Sequence, residues 1–490
     1  MAQSRIRGKD LRKIGYPEGP VISIAMQTME KDFRHLSTDD LLELLGSILQ
    51  SPNQYAADRK LGKIAAALLP KSRSASDEIP LNAKAIHFNI FGREGIEEGA
   101  LNQMINAAKL PIAVAGALMP DAHAGYGLPI GGVLATQNAV IPYGVGVDIG
   151  CRMCLSVFDL PPEELNRKED YFTRALDEAT VFGSGGQFER PYDHEILYRK
   201  EFGEIELLKG LHEKARKQIG TSGSGNHFVE FGIVHVPERD PVLGMEPGNY
   251  LGLLSHSGSR GLGANIANHY TKIAKEKRRL PGEAAHLAWL GIDEAEGAEY
   301  WIAMSLAGDY ASACHHIIHE KIAKQLGRQP LKMVENHHNF AWKEMHDGRE
   351  VIVHRKGATP AAKNILGIIP GSMTAPGFIV KGKGEDASVN SASHGAGRRM
   401  SRTAALNSIT HHSLNEVLER HNVKLLGGGL DEAPMAYKDI EEVMKAQKQL
   451  VETVGVFHPK IVKMDGAVAK QWKKKSGQQR EGASEAVEGE

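Results

Sequence analysis

Apolar residues along this chain recur at helical spacing in some stretches, stand in short unbroken runs in others, and are punctuated throughout by glycine. Near the N-terminus, Ser37-Thr38-Asp39-Asp40 precedes Leu41, Leu42, Leu44 and Leu45. A hydroxyl N-cap followed by acids and leucines predicts an amphipathic helix starting there. Tyr55 to Leu69 carries a second helical pattern, and Ser72 to Asp77, rich in serine and charge, reads as a linker. Residues 1–80 are therefore expected to form a small helical appendage, a packing or interaction module without a catalytic constellation.

The pattern changes at about residue 81. A helix is predicted around Glu97 to Leu110. Val133 to Thr136, Ala139 to Pro142, Phe228 to Val236, Leu251 to Ser255, Val351 to His354 and Phe378 to Val380 read as buried strands. Helical stretches intervene at Leu262 to Lys277, Tyr300 to Leu326 and Arg398 to Arg420. Strands and helices mix without a regular βαβ alternation, so the expected class is α+β rather than a doubly wound sheet. No internal repeat of fixed period occurs. The catalytic domain is expected over 81–466, with a disordered charged tail over 467–490.

Composition narrows the setting. The 490 residues are 41% hydrophobic and 24% charged, ordinary for a globular protein. Net charge is −1, so any nucleic-acid binding must come from local basic clusters. Three cysteines, Cys151, Cys154 and Cys314, are too few for a disulfide framework and suggest a reducing compartment. Met1 to Asp10 is polar, without a secretory pattern, and no apolar run reaches membrane-spanning length. A cytoplasmic protein is expected.

The chemistry concentrates in glycine-bounded loops. His394 stands in Ser393-His394-Gly395-Ala396-Gly397-Arg398. Glycines let backbone N–H groups approach a ligand, and the Arg398 fork suits phosphate oxygens. Such a histidine can be a metal ligand, a general base or a nucleophile, or an incidental residue in a turn. Gly146-Val147-Asp148-Ile149-Gly150-Cys151 sets a carboxylate and a thiol three residues apart. Gly225-Asn226-His227-Phe228-Val229-Glu230 puts a histidine at the mouth of a strand, and Ser255-His256-Ser257-Gly258-Ser259-Arg260 puts one in a loop opening a helix. Asn336-His337-His338-Asn339 is a fourth locus. Mixed O, N and S donors suit Mn²⁺, Zn²⁺ or Fe²⁺, and a bridging Asp148 would permit two ions, a pairing suited to phosphoryl chemistry. No Walker-type loop is present.

These motifs, with Asp121-Ala122-His123, Arg355-Lys356-Gly357-Ala358 and Pro370-Gly371-Ser372-Met373, occur in an order that resembles the RNA-splicing ligase RtcB family, from about 81 to about 466. The resemblance implies an RtcB-type mixed-sheet core. It implies a GTP- and Mn²⁺-dependent RNA ligase that joins 2′,3′-cyclic phosphate or 3′-phosphate ends to 5′-hydroxyl ends, in RNA repair or tRNA splicing, and it allows an activating protein as a partner. By resemblance, His394 carries GMP and Asp121 orients its ring. Asp148, Cys151, His227, His256 and His338 match ligands of two manganese ions, with His337 the neighbouring alternative to His338. Asn226, Phe228, Glu230, Ser372, Gly395, Ala396, Gly397, Arg398, Tyr437 and Lys463 match the nucleotide pocket and its lid, and Arg260 matches a phosphate contact.

The chain also departs from the family. Arg152 follows Cys151 where glycine is usual, a possible RNA contact or a crowding of the metal loop; Thr374 to Gly377 is altered, and the chain continues past Lys463. Such changes suit a paralogue with altered substrate preference. The alternative is a metal-dependent cyclic phosphodiesterase or phosphohydrolase that has lost productive ligation.

Overall fold

The computed structural model describes residues 6–17, 20–68 and 78–466. The linker expected at Ser72–Asp77 and the tail over 467–490 lie outside the described residues. The chain divides into two compact units, Met1–Glu78 and Ile79–Glu490.

In the first unit, helices Pro20–Asp32, Thr38–Gln50 and Gly62–Leu68 enclose Ala25, Met29, Leu41, Leu45, Ile48 and Ile64, all buried. Ser37 caps the middle helix: its Oγ accepts from Asp40 N, and the Asp40 carboxylate accepts from Ser37 N, each at 3.2 Å. The second helical pattern is interrupted. Helix Pro52–Tyr55 stops, and Asp58 Oδ1 accepts from the backbone N–H of Lys60 and Leu61 at 2.8 Å before Gly62–Leu68 begins. A short acid that bonds its own backbone competes with helix continuation.

The second unit is α+β, built on two sheets. The smaller runs Asn89–Ile90, Ala113–His123, Ile130–Thr136, Arg349–Lys356, Asn339–His346. The larger runs Leu366–Ile369, Gly377–Gly382, Val451–Met464, Phe228–Val236, Gly248–Ser257, Arg152–Phe158, Lys332–His337, with Lys424–Leu426 pairing alongside Val451–Met464. It curls toward closure. Between its two outer strands, the Asn336 side chain accepts from Ile368 N at 2.9 Å and donates to Ile368 O at 3.3 Å, standing in for ladder bonds. Strand alternation then gives the sheet two different faces. Met153, Leu155, Leu254, Val334 and Phe457 fill the inside of the curl. Phe158, Leu251 and Leu253 pack outward with Ile318 and Ile322 of the 32-residue helix Ala295–Leu326.

The stretch Arg398 to Arg420 is not one helix but two, Arg402–Ser408 and His411–His421. Ser401 and Thr410 each accept from an N–H three residues on, so each caps a fresh start. Arg398 lies before both, bridged to Tyr437.

Candidate functional site

A cavity of about 1140 Å³ opens at the end of the curled sheet. The Asp148 loop enters it between the helical turn Pro142–Val145 and strand Arg152–Phe158. Gly150 has φ +69°, and a Cβ there would lie 2.8 Å from Gly308 Cα of the long helix, so only glycine lets the loop seat. Asp148 Oδ1 accepts from Ser259 N at 3.2 Å, at the N-terminus of helix Arg260–Lys277, where the helix dipole favours a negative charge. Its Oδ2 lies 2.9 Å from His227 Nε2.

From there the donors form a chain. Cys151 Sγ is 3.5 Å from His227 Nε2 and 3.1 Å from His256 Nε2, and His256 Nε2 is 3.2 Å from His338 Nε2. His338 stands at the corner where Lys332–His337 of one sheet passes into Asn339–His346 of the other, its N–H bonded to Cys151 O at 3.0 Å. His256 Nδ1–H donates to Asn226 O at 3.1 Å, which leaves the Nε2 lone pair directed at its neighbours. Arg260 Nη2 contacts His227 Nδ1 at 3.1 Å.

The electrostatics suit a cation. Burial holds His256 down to about 3 and His338 well below the usual imidazole range, so both rings are neutral with lone pairs available. Burial, then the charge of Asp148, pushes the Cys151 thiol well up. His338 Nδ1 is buried and, among the described residues, has no hydrogen-bond partner. Cys151, His227 and His256 offer ligand atoms all within 4.8 Å of one another. A carboxylate, a thiol and neutral imidazoles crowded this way fit a divalent metal of intermediate softness.

His394 faces the same cavity. Its Nδ1–H donates to Asp121 Oδ2 at 2.7 Å, and its backbone N–H reaches the same oxygen at 3.2 Å. Asp121 is fully buried in strand Ala113–His123. Burial alone would raise its carboxyl, but the bond and charge of His394, with Lys438, hold it below the usual range. Lys438 Nζ donates to the carbonyls on either side, Pro120 O at 3.2 Å and Ala122 O at 2.7 Å. Gly397, at φ +73°, packs on the Asp121 backbone where a Cβ would collide. The His394 ring lies 4.9 Å from that of His338, centroid to centroid.

The remaining expected residues sort cleanly. Asn226, Phe228, Glu230, Ser372, Arg398 and Tyr437 line the cavity, as does the run Gly395-Ala396-Gly397. Burial pushes the Glu230 carboxyl well above the usual carboxylate range. Arg398 is occupied: it donates to Asp431 O at 2.6 Å, pairs with Glu432 at 3.3 Å and lies 5.2 Å from the Tyr437 ring centre. Lys463 does not reach the cavity. Val462 and Met464 line it, so alternation turns Lys463 to the opposite face, with Nζ 2.8 Å from Asp177 and 3.4 Å from Leu176 O. Its assignment to a nucleotide lid is corrected on that ground. Arg152 likewise faces away, buried, ion-paired with Glu335 and donating to Gly308 O at 2.8 Å. His337 packs edge-on to Phe340 and tilted against Trp342, with ring centroids 5.0 and 4.9 Å away, outside the cavity. In the altered loop, Met373, Ala375 and Gly377 line the cavity and Thr374 does not.

Sequence reading missed Lys356, Arg402 and Glu432 on the cavity wall. Arg402 bonds Asp431 Oδ2 at 2.7 Å and Glu432, and Tyr437 Oη bonds Glu432. Asp431-Glu432, one residue beyond Gly427-Gly428-Gly429, were the available signal.

Fold and site together define an α+β protein whose mixed Asp, Cys and His centre, able to hold metal, stands beside a carboxylate-oriented histidine. The family model described as tRNA-splicing ligase RtcB matches residues 103–465. Over 395 residues the chain is 34% identical to the RNA-splicing ligase RtcB of Escherichia coli strain K12, covering 73% of this chain and 92% of that one. It is 32% identical over 420 residues to the tRNA-splicing ligase RtcB of Archaeoglobus fulgidus, covering 71% and 87%, and 31% identical over 417 residues to the RNA-splicing ligase RtcB of Mycobacterium tuberculosis strain H37Rv, covering 71% and 96%. The chain belongs to the RtcB family. Among the described residues, no helix is long and apolar enough to cross a membrane.

Proposed function

We propose that this protein is an RNA ligase that uses GTP and Mn²⁺ to join RNA ends bearing a 2′,3′-cyclic phosphate or 3′-phosphate to 5′-hydroxyl ends, acting in the cytoplasm in RNA repair or tRNA splicing. The carrying observation is the His394–Asp121 bond of 2.7 Å beside the donor chain of Cys151, His256 and His338. The relatives named RNA-splicing ligase support the same reading.

Because Nδ1–H is committed to Asp121, His394 presents its Nε2 lone pair to the cavity. That nitrogen attacks the α-phosphorus of GTP, forming an N–P bond while the P–O bond to pyrophosphate breaks. An RNA 3′-phosphate oxygen next takes the GMP and the N–P bond breaks. Attack of the 5′-hydroxyl on the RNA phosphorus then expels GMP. Manganese held by Asp148, Cys151, His227, His256 and His338 would neutralise charge on the transferring phosphoryl oxygens. Asn226, Phe228, Glu230, Ser372, Tyr437 and the backbone of Gly395 to Gly397 form the nucleotide pocket. The helical unit before residue 79 falls outside the family match and is assigned no part in these steps.

Incubation with GTP and MnCl₂ followed by intact-mass spectrometry is expected to show a covalent GMP adduct, located at His394 by peptide mapping. Opening of a cyclic phosphate by a metal-loaded protein that forms no adduct would replace this reading with that of a metal-dependent phosphodiesterase.

A further inference from the structure

Directly behind the cavity, the same strands carry a second group of metal-type side chains. Alternation turns Cys151 and Met153 toward the cavity side, and Arg152, Cys154 and Ser156 toward helix Ala295–Leu326. On that helix, His315 and His319 are four residues apart and so share one face. Cys154 Sγ and one nitrogen from each of these rings lie within 4.8 Å of one another, and all three side chains are buried.

The outer nitrogens are anchored. His315 Nε2–H donates to Ser257 O at 3.1 Å, and His319 Nδ1 lies 2.7 Å from Ser156 Oγ. The inner nitrogens then aim at one point, where Ser255 Oγ sits 2.6 Å from His315 Nδ1 and 2.8 Å from His319 Nε2. Cys154 pairs with Ser255 across the ladder and flanks that point from the next strand. Glu335 pairs with Cys154 on its other side and brings a carboxylate close by. Imidazoles held by an outer hydrogen bond, with inner lone pairs converging beside a thiol, have the form of pre-oriented metal ligands.

We propose that Cys154, His315 and His319 form a second, sealed metal site, separate from the Cys151 cluster, with Ser255 Oγ as its fourth ligand. A set of one thiolate and two imidazoles takes a cation of the Zn²⁺ type. Binding releases the Cys154 thiol proton to solvent and replaces both bonds to Ser255. It also draws the donors in to about 3.5 Å, the edge of a tetrahedron with bonds of about 2.0–2.3 Å. With every ligand buried, the ion enters as the chain folds and exchanges slowly.

The test uses the full chain produced in zinc-supplemented medium with the cavity-side ligands removed, as Cys151→Ala/His227→Ala. After dialysis against a chelator, metal analysis is expected to find about one zinc per chain, falling to below about a tenth when Cys154→Ala is added. Protein produced with cobalt instead is expected to show a thiolate-to-cobalt absorption band that survives Cys151→Ala/His227→Ala. Absence of retained zinc in that double variant, or retention unaffected by Cys154→Ala, overturns the site and leaves a hydrogen-bonded relay in its place. Should the Cys154→Ala protein fail to fold, Cys154→Ser keeps the side-chain size, and persistence of the cobalt band in that folded protein likewise overturns it.

Discussion

The two faces of strands Arg152–Phe158 and Gly248–Ser257 are each met by a thiol and imidazoles, under opposite conditions. Toward the cavity, Cys151, His256 and His338 meet nitrogen to sulfur and nitrogen to nitrogen, and among the described residues His338 Nδ1 has no hydrogen-bond partner. Toward the helix, both nitrogens of His315 and His319 are bonded to serine hydroxyls or a carbonyl. Residue type alone therefore does not mark the reactive face. What marks it is lone pairs left without donors and a cavity to admit a substrate. On the helix face, ligation must first displace the two bonds to Ser255.

The largest effect expected separates chemistry from stability. His394→Ala removes the nucleophile and is expected to abolish the GMP adduct and lower RNA joining by at least about 10⁴-fold. Its stability should fall by no more than roughly 3 kcal/mol, because the buried Asp121 carboxylate loses the Nδ1–H but keeps the backbone N–H of residue 394. Adduct mass and a gel assay of joined RNA read the first quantity, and urea unfolding reads the second. Joining that survives the substitution removes the nucleophile assignment.

The reverse pattern is expected one residue behind the metal loop. Arg152→Leu leaves Glu335 with only His316 and Ser312 at 2.9 and 2.8 Å and vacates the bond to Gly308 O. Removing one partner of a largely buried pair costs roughly 3 kcal/mol, read by urea unfolding. RNA affinity is expected to hold within about twofold, since the guanidinium lies on the far face. Weakened RNA binding at unchanged stability would return Arg152 to the cavity side.

A smaller effect is expected from acid. Burial holds His319 down to about 3. Between the ordinary value near 6.5 and that point, only the unfolded chain takes up this proton. The contribution to stability is complete above about pH 6.5 and is lost as pH falls through the window. By pH 5 the loss reaches about 2 kcal/mol. In metal-free protein, His319→Asn should therefore flatten the fall in unfolding free energy between pH 6.5 and 5 by about that amount. An unchanged slope would mean that the ring is already protonated in the fold.

How much of this was legible follows from what each feature depends on. The loops around Asp148, His227, His256 and His394 could be read as strings because glycines and ligands sit next to one another in the chain. Core strands such as Phe228–Val236 showed as apolar runs. Strand Ala113–His123 was not read, since its ladder is irregular between Leu118 and His123 and it carries Pro120 and Asp121. The broken helix after Arg398 was missed because the caps Ser401 and Thr410 lie inside an otherwise helical pattern. The faces of Arg152 and Lys463 depend on strand parity, which a list of motif residues ignores. The helix-side cluster had a visible half, His315 and His319 at helical spacing, but its other half, Cys154, comes from a strand more than a hundred residues earlier.

The smallest expected effect tests parity itself. Lys463 lies between two residues that line the cavity, yet its Nζ pairs with Asp177, whose side chain is 55% exposed. An ion pair open to solvent contributes under about 1 kcal/mol, so Lys463→Ala should shift stability by no more than that. The KM for GTP in adduct formation should change by less than about twofold, because nothing on the cavity wall is removed. Val462→Lys, one position earlier, places a charged stem into the nucleotide side of the same strand and should raise that KM by about tenfold or more. Equal effects from both substitutions would mean that the end of Val451–Met464 turns over when nucleotide binds. A strong Lys463→Ala effect beside a silent Val462→Lys would mean that the register itself is the other way round.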